Sequence, residues 1–176
     1  MTSQRTAILI APALCLFATA ALAHIELQGR EARIDSSYRA VFQVPHGCSG
    51  SPTVKLRIQI PAGVIDVKPV PKAGWQLDTV TAKFEKPFTL NGAEIAEGVK
   101  EIAWTGKLRD GAHDTFVVGT YLTDGLQAGR TLYFPVVQEC ETGVNRWIEI
   151  PADGKSAHDL KEPAPGVKLL PKAEGH

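Results

Sequence analysis

The sequence predicts an all-β sandwich preceded by a cleaved export leader. Three observations carry that expectation. Apolar residues recur at every second position over many short stretches, glycine- and proline-containing turns separate those stretches, and residues 1–23 form an apolar block of their own. The 16 Gly and 12 Pro spread through 176 residues favour turns over long helices. No stretch past the leader carries a helical period, and there is no internal repeat.

The leader comes first. Arg5 supplies a short positive start, Ala7 to Leu22 is nearly continuous apolar sequence, and Ala21-Leu22-Ala23 is the small-x-small pattern after which signal peptidase cuts. The apolar run is short for a bilayer and ends in a cleavage site. Residues 1–23 are therefore expected to be a signal peptide, and the product to be periplasmic or otherwise extracytoplasmic. No second stretch is apolar and long enough to span a membrane.

The sandwich is read over 24–151. Tyr38 to Val44 alternates, with Tyr38, Ala40, Phe42 and Val44 inward, and Thr53 to Ile60 alternates polar and apolar without a break. Further strands are expected at 64–68, 75–84, 99–105, 115–123, 131–138 and 144–150. Pro61-Ala62-Gly63, Lys72-Ala73-Gly74, Asn91-Gly92, Asp110-Gly111 and Asp124-Gly125 supply the turn chemistry between them. Eight or nine short strands at this spacing fit a sandwich. Trp75 and Trp104 read as core. Trp147 shares a strand face with Asn145 and Glu149, opposite Val144, Arg146, Ile148 and Ile150, and so reads as a wall of a site on the polar face, or as a side chain covered by a loop or the tail. From 152 to 176 prolines and charges dominate around a short apolar run at Val167 to Leu170, which reads as a segment that runs extended over the domain surface or trails as a tail, with His158 and His176 solvated.

Charge and cysteine usage narrow the function. With 19 Lys+Arg against 19 Asp+Glu, the chain lacks the basic excess that nucleic-acid binding requires. Cys15 leaves with the leader, so Cys48 and Cys140 remain. In an oxidising compartment the pair reads as a disulfide, and closing so long a loop restricts the unfolded chain by about 4–5 kcal/mol in the loop-entropy treatment. The rival, a thiolate pair for a soft metal, needs reducing conditions. Phosphate-cradling Gly-rich loops, Gly-x-Ser-x-Gly, Cys-x-x-Cys and His-Glu-x-x-His are all absent, and scattered carboxylates nominate no glycosidase pair. Met1 is the only methionine, which disfavours a thioether Cu(I) site.

Cleavage after Ala23 would make His24 the N-terminus. A terminal histidine carries an α-amine and an imidazole on one residue, so the amine and Nδ1 can chelate one metal together. That nitrogen-rich tetragonal arrangement suits Cu(II). The bland alternative is that histidine follows the cleavage site by chance. In an extended segment His24, Glu26 and Gln28 share one face and Ile25 and Leu27 the other, which sets the imidazole among polar neighbours. His46, in Val44-Pro45-His46-Gly47-Cys48, is a loop histidine beside a glycine and a stiffening cysteine; such residues are more often simply exposed than ligating. His113 reads as a turn residue.

These residues together resemble the YcnI-like family of exported bacterial copper-binding domains. The resemblance runs from Ala23-His24 through Phe42-Gln43-Val44-Pro45, Ile58-Gln59-Ile60-Pro61 with Gly63-Val64, Pro71-Lys72-Ala73-Gly74-Trp75 and His113-Asp114-Thr115-Phe116 to Trp147-Ile148-Glu149-Ile150-Pro151. It implies an immunoglobulin-like sandwich that binds Cu(II) through a histidine brace built on a single N-terminal histidine. A glutamate from the loop after the Val-Pro strand end completes the family's site, with a tryptophan nearby. His24 matches the brace residue and Trp147 the tryptophan. The glutamate has no match, because His46-Gly47-Cys48 stands there. Either His46 supplies the third ligand, Glu26 or another carboxylate does, or the site is altered; His46 is the first choice.

The expectation is a non-enzymatic Cu(II)-binding protein, a copper chaperone or copper-handling protein whose partner is another exported copper protein. Two alternatives stand beside it. One is a copper-dependent oxidative enzyme of the polysaccharide-cleaving type, which also uses an N-terminal histidine. The other is a structural or interaction sandwich without metal.

Overall fold

A computed structural model of the protein describes residues 24–174. The expected signal peptide, 1–23, lies outside the described residues, as does His176. The described residues form an all-β structure of twelve strands with one turn of 3-10 helix at Ala157–Asp159. Among them, no helix is long and apolar enough to cross a membrane.

Two sheets make the sandwich. The first has strand order β1 (Glu26–Leu27), β3 (Ser36–Val44), β8 (Asp114–Leu122) and β5 (Val64–Pro69). The second has the order β11 (Val144–Trp147), β10 (Val136–Cys140), β4 (Thr53–Gln59), β7 (Ala93–Leu108) and β6 (Gln76–Leu90). The alternation read from sequence is what packs them together. Ala40, Phe42, Val44, Phe116 and Val118 from the first sheet meet Leu56, Ile58, Ile102, Trp104 and Val136 from the second in one hydrophobic cluster. Tyr38, expected inward, packs half-buried against that cluster. Burying each large aliphatic side chain contributes about 1.5–3 kcal/mol, so this cluster is the main source of stability.

The structure departs from the sequence reading in four places. The segment 131–138 is two strands, β9 (Thr131–Tyr133) and β10, in different sheets. Pro135 separates them because it has no N–H to donate to a ladder. The stretches 75–84 and 99–105 extend into one long hairpin, β6–β7, turned at Asn91-Gly92 with both residues at positive φ, 52° and 79°. That is the type I′ geometry that asparagine and glycine tolerate. Thr53 is buried while Val54 is only half-buried, because a register shift between Thr53 and Lys55 breaks the alternation.

The fourth departure is the C-terminal segment. It does not trail as a tail. Gly166–Leu170 forms β12, which lies between β2 (Glu31–Arg33) and β9 in a three-stranded sheet, parallel to the former and antiparallel to the latter. Val167 and Leu169 are buried in the main cluster. The short apolar run at 167–170 outweighs the surrounding prolines and charges, since two inward aliphatics supply enough burial to hold a strand against the sandwich. The packed unit thus continues past residue 151.

Cys48 and Cys140 form a disulfide, with Cα atoms 6.0 Å apart and 92 positions between them in sequence. It ties the loop after β3 to the end of β10.

Candidate metal centre

His24 enters the fold just before β1. Ile25 and Leu27 are buried while Glu26 and Gln28 are exposed, as an extended segment against a core requires. β1 pairs antiparallel with β3 through Glu26–Gln43 and Leu27–Phe42, and Gln28 N donates to Val41 O at 2.9 Å. Continued back from Glu26, this register sets His24 level with Pro45, the neighbour of His46. The strand pairing therefore carries the N-terminal segment and the His46 loop toward the same end of the sheet.

The His24 imidazole packs on Trp147, with ring centroids 5.6 Å apart and planes tilted by 53°. Its Nε2 is buried and has no hydrogen-bond partner. Leaving such an atom unpaired costs about 1–3 kcal/mol.

Trp147 was expected on the polar face of its strand, as the wall of a site. It does wall His24, but from the buried side. Trp147 is 5% exposed, whereas Ile148 and Ile150 are 43% and 57% exposed. The indole buries more area than either aliphatic, and its N–H needs a buried acceptor. That acceptor is Gln138, which receives the Trp147 Nε1–H at 3.0 Å.

Gln138 was not singled out from sequence. A glutamine between Val137 and Glu139 reads as polar strand surface. The signal that could have found it is parity: Gln138 falls in step with Val136 and Cys140, and all three are buried. Its amide donates to the His46 carbonyl at 2.7 Å and to Thr53 Oγ1 at 2.8 Å, and its oxygen also accepts from Asn145 Nδ2 at 3.4 Å.

His46 lies in the loop closed by the disulfide. Its Nδ1 sits 2.5 Å from the Gly47 carbonyl oxygen. Gly47 N donates to Asp110 Oδ1 at 3.2 Å, and Cys48 and Ser51 exchange backbone hydrogen bonds of 3.0 Å. A Cβ at position 47 would run into the Ser51 carbonyl, so only glycine allows the loop to close this tightly. His46 thus meets the His24–Trp147 pair through its backbone and Gln138.

Beside His24 is a cleft of about 230 Å³. His24, Glu26 and Arg30 from the N-terminal segment and His158, Pro163 and Lys168 from the C-terminal segment line it. Glu26 pairs with Arg30 at 3.4 Å. His158, read from sequence as solvated on a tail, is exposed but borders this cleft because β12 draws the C-terminal segment back across the N-terminal strand. His46 does not line the cleft. His113 is exposed in the turn before β8. Tyr38 donates a long hydrogen bond, 3.4 Å, to Gly29 O after β1, and burial pushes its pKa up to about 12.

Tested against a metal ion, these residues fit in part. The Trp147 face holds the imidazole in one place, as a ligand requires, although the buried unpaired nitrogen is Nε2 rather than the Nδ1 of an amine chelate. Among the described residues, however, no group of three or more His, Cys, Asp or Glu is placed to hold a metal ion. Side chains alone do not make the site. A brace needs the α-amine of His24 as a donor, and that amine exists only where the chain starts at His24.

A sandwich with these features falls in the immunoglobulin-like class. The chain is similar to the crystal structure of an uncharacterized protein from Nocardia farcinica with an immunoglobulin-like fold. The TM-score is 0.62 at 20% identity, covering 84% of this chain and 98% of that one. At that identity the likeness shows the fold. A family profile, the domain of unknown function DUF1775, matches residues 24–169, and the chain belongs to that family. The matched stretch begins at His24 and runs through β12. No functionally curated protein matches the chain.

Proposed function

We propose that the protein is exported, loses residues 1–23, and binds Cu(II) at the His24 terminus as a copper-handling or chaperone protein rather than an enzyme. The observation that carries this reading is the His24 imidazole, packed on Trp147 at the residue where the DUF1775 match starts. In the uncleaved chain the His24 nitrogen is an amide and a poor donor. Cleavage turns it into an amine, and the amine with Nδ1 forms a chelate that suits the tetragonal preference of Cu(II).

Trp147 holds the ring and screens one side of it from water. We assign the third donor to His46, which the β1–β3 register supports, and leave Glu26 as its rival on the cleft side. Copper is cargo in this reading. The amine has an ordinary pKa near 8, so the metal displaces a proton there and affinity falls as pH drops below that value.

The test is a Cu(II) titration of protein beginning at His24, with the paramagnetic resonance spectrum recorded. A variant with one extra residue ahead of His24 should bind at least about 100-fold more weakly, a loss of about 2.7 kcal/mol. Equal binding by the extended variant would overturn the brace. Intact mass of the exported protein checks that the chain starts at His24 and that the disulfide is closed.

A further inference from the structure

We propose that Gln138 is the positioning residue of the His24–Trp147 pair, an inference that rests on reading this pair as the copper site. Gln138 is fully buried in β10, on the inward face with Val136 and Cys140. A glutamine amide has two N–H donors and two acceptor lone pairs. All four are used: the donors on His46 O and Thr53 Oγ1, the lone pairs on Trp147 Nε1–H and Asn145 Nδ2–H.

The partners also settle which way the amide faces. Indole N–H can only donate, so the Gln138 atom toward Trp147 is oxygen. A backbone carbonyl can only accept, so the atom toward His46 is nitrogen. One side chain therefore fixes the indole in its plane and, from its other end, holds the His46 loop at a set distance. The disulfide acts on the same two segments. Cys48 Sγ lies 3.8 Å from the Gln138 carbonyl oxygen, and Cys140 Sγ lies 3.9 Å from Thr53 Oγ1. The seat of the His24 ring is the Trp147 face that Gln138 holds still.

Gln138→Met keeps the length and volume but can neither accept from Trp147 nor donate to His46. Gln138→Leu likewise removes both the acceptor and the donors. Both should release the indole. The experiment uses the disulfide-closed protein starting at His24. In metal-free protein, the imidazole C–H proton shifts of His24 report the ring current of Trp147, with Trp147→Phe as the reference for its loss. Cu(II) affinity and the resonance spectrum are measured on the same samples.

Both Gln138 variants should move the His24 shifts toward those of Trp147→Phe and weaken Cu(II) binding at least tenfold. Shifts unchanged from wild type, with affinity within twofold, would overturn the proposal. Should both variants fail to fold, exchange of the Trp147 indole N–H in the wild-type protein decides: slow exchange supports the hydrogen bond to Gln138, and free exchange overturns it. The two readings fail separately. Wild-type protein that binds Cu(II) no better than an exposed histidine sinks the copper site, while the metal-free shifts still decide whether Gln138 seats the ring.

Discussion

Two polar groups touch Trp147, and the fold treats them differently. Gln138 is completely enclosed, and each of its four hydrogen-bonding positions has a partner. The His24 imidazole, against the same indole, keeps a buried nitrogen with none. Interiors pair nearly all of their buried polar groups, so the fully paired amide is the ordinary outcome and the unpaired nitrogen the exception. The difference teaches that Gln138 is held by a closed set of hydrogen bonds, whereas the His24 ring is held by packing at the cost of an unpaired nitrogen. The Gln138 cage completes the structure. His24 adds a cost that packing alone does not explain.

If the cage is structural, breaking its frame should produce the largest effect. Replacing both Cys48 and Cys140 by alanine removes a cross-link over 92 positions and is expected to lower the unfolding free energy by about 2–5 kcal/mol, read from the urea midpoint. The long closed loop puts the expectation toward the upper end. A loss under about 1 kcal/mol would mean that Gln138, with the Cys48–Ser51 turn, already holds the His46 loop on β10. That result would sharpen the contrast rather than remove it, since the cage would then stand without its cross-link.

The contrast also marks what could be read from the sequence. Alternation located most of the strands, and the disulfide followed from the expectation of export and the cysteine count. Trp147 does share a face of β11 with Asn145, but that face is the buried one rather than the polar one, and there it packs on His24. Counting aliphatics favoured Val144, Ile148 and Ile150 as the inward set, whereas β11 ends at Trp147 and Ile148 and Ile150 run on beyond it. The chain there is held instead by Glu149, which exchanges backbone hydrogen bonds with Glu162 and Ala164 at 3.1 and 2.8 Å. Those partners come from the segment taken for a tail. Pattern within one strand cannot show that a distant segment will cover it, which is also why His158 was not connected to the His24 cleft. Gln138 failed to stand out because a buried glutamine and a surface glutamine look alike until the donors around it are known.

At His24 itself the expected stability effect is small. His24→Ala removes ring packing on the indole, worth about 0.5–1.5 kcal/mol, and also removes the unpaired nitrogen, whose burial costs about 1–3 kcal/mol. The two oppose each other, so the unfolding free energy should stay level or rise by up to about 1 kcal/mol in the urea titration. Copper binding should be lost at the same time. A destabilisation of 2 kcal/mol or more would show that the ring is a structural member like Gln138, and the contrast would break.

Tyr38 provides an intermediate case and the smallest effect. Its hydroxyl is partnered, but by a long bond of 3.4 Å to Gly29 O, and burial raises its pKa from 10.0 to about 12. The fold therefore favours the neutral phenol. That contribution is complete while the pH stays below the unfolded value of 10.0, and it is lost as the pH rises through about 12. Tyr38→Phe should change stability at neutral pH by less than about 1 kcal/mol, because only the long hydrogen bond goes. Above pH 10 it should flatten the decline in stability, and in an absorbance titration it should remove a phenol step near 12. Tyr121 has its pKa raised by its hydrogen bond to Asp35, with smaller contributions from burial and from the charges of Asp35 and Asp124, so Tyr121→Phe is the control that separates the two. A Tyr38 variant whose alkaline limb matches wild type would place the phenol in water, and the gradation from paired amide to long-bonded hydroxyl to unpaired imidazole would lose its middle member.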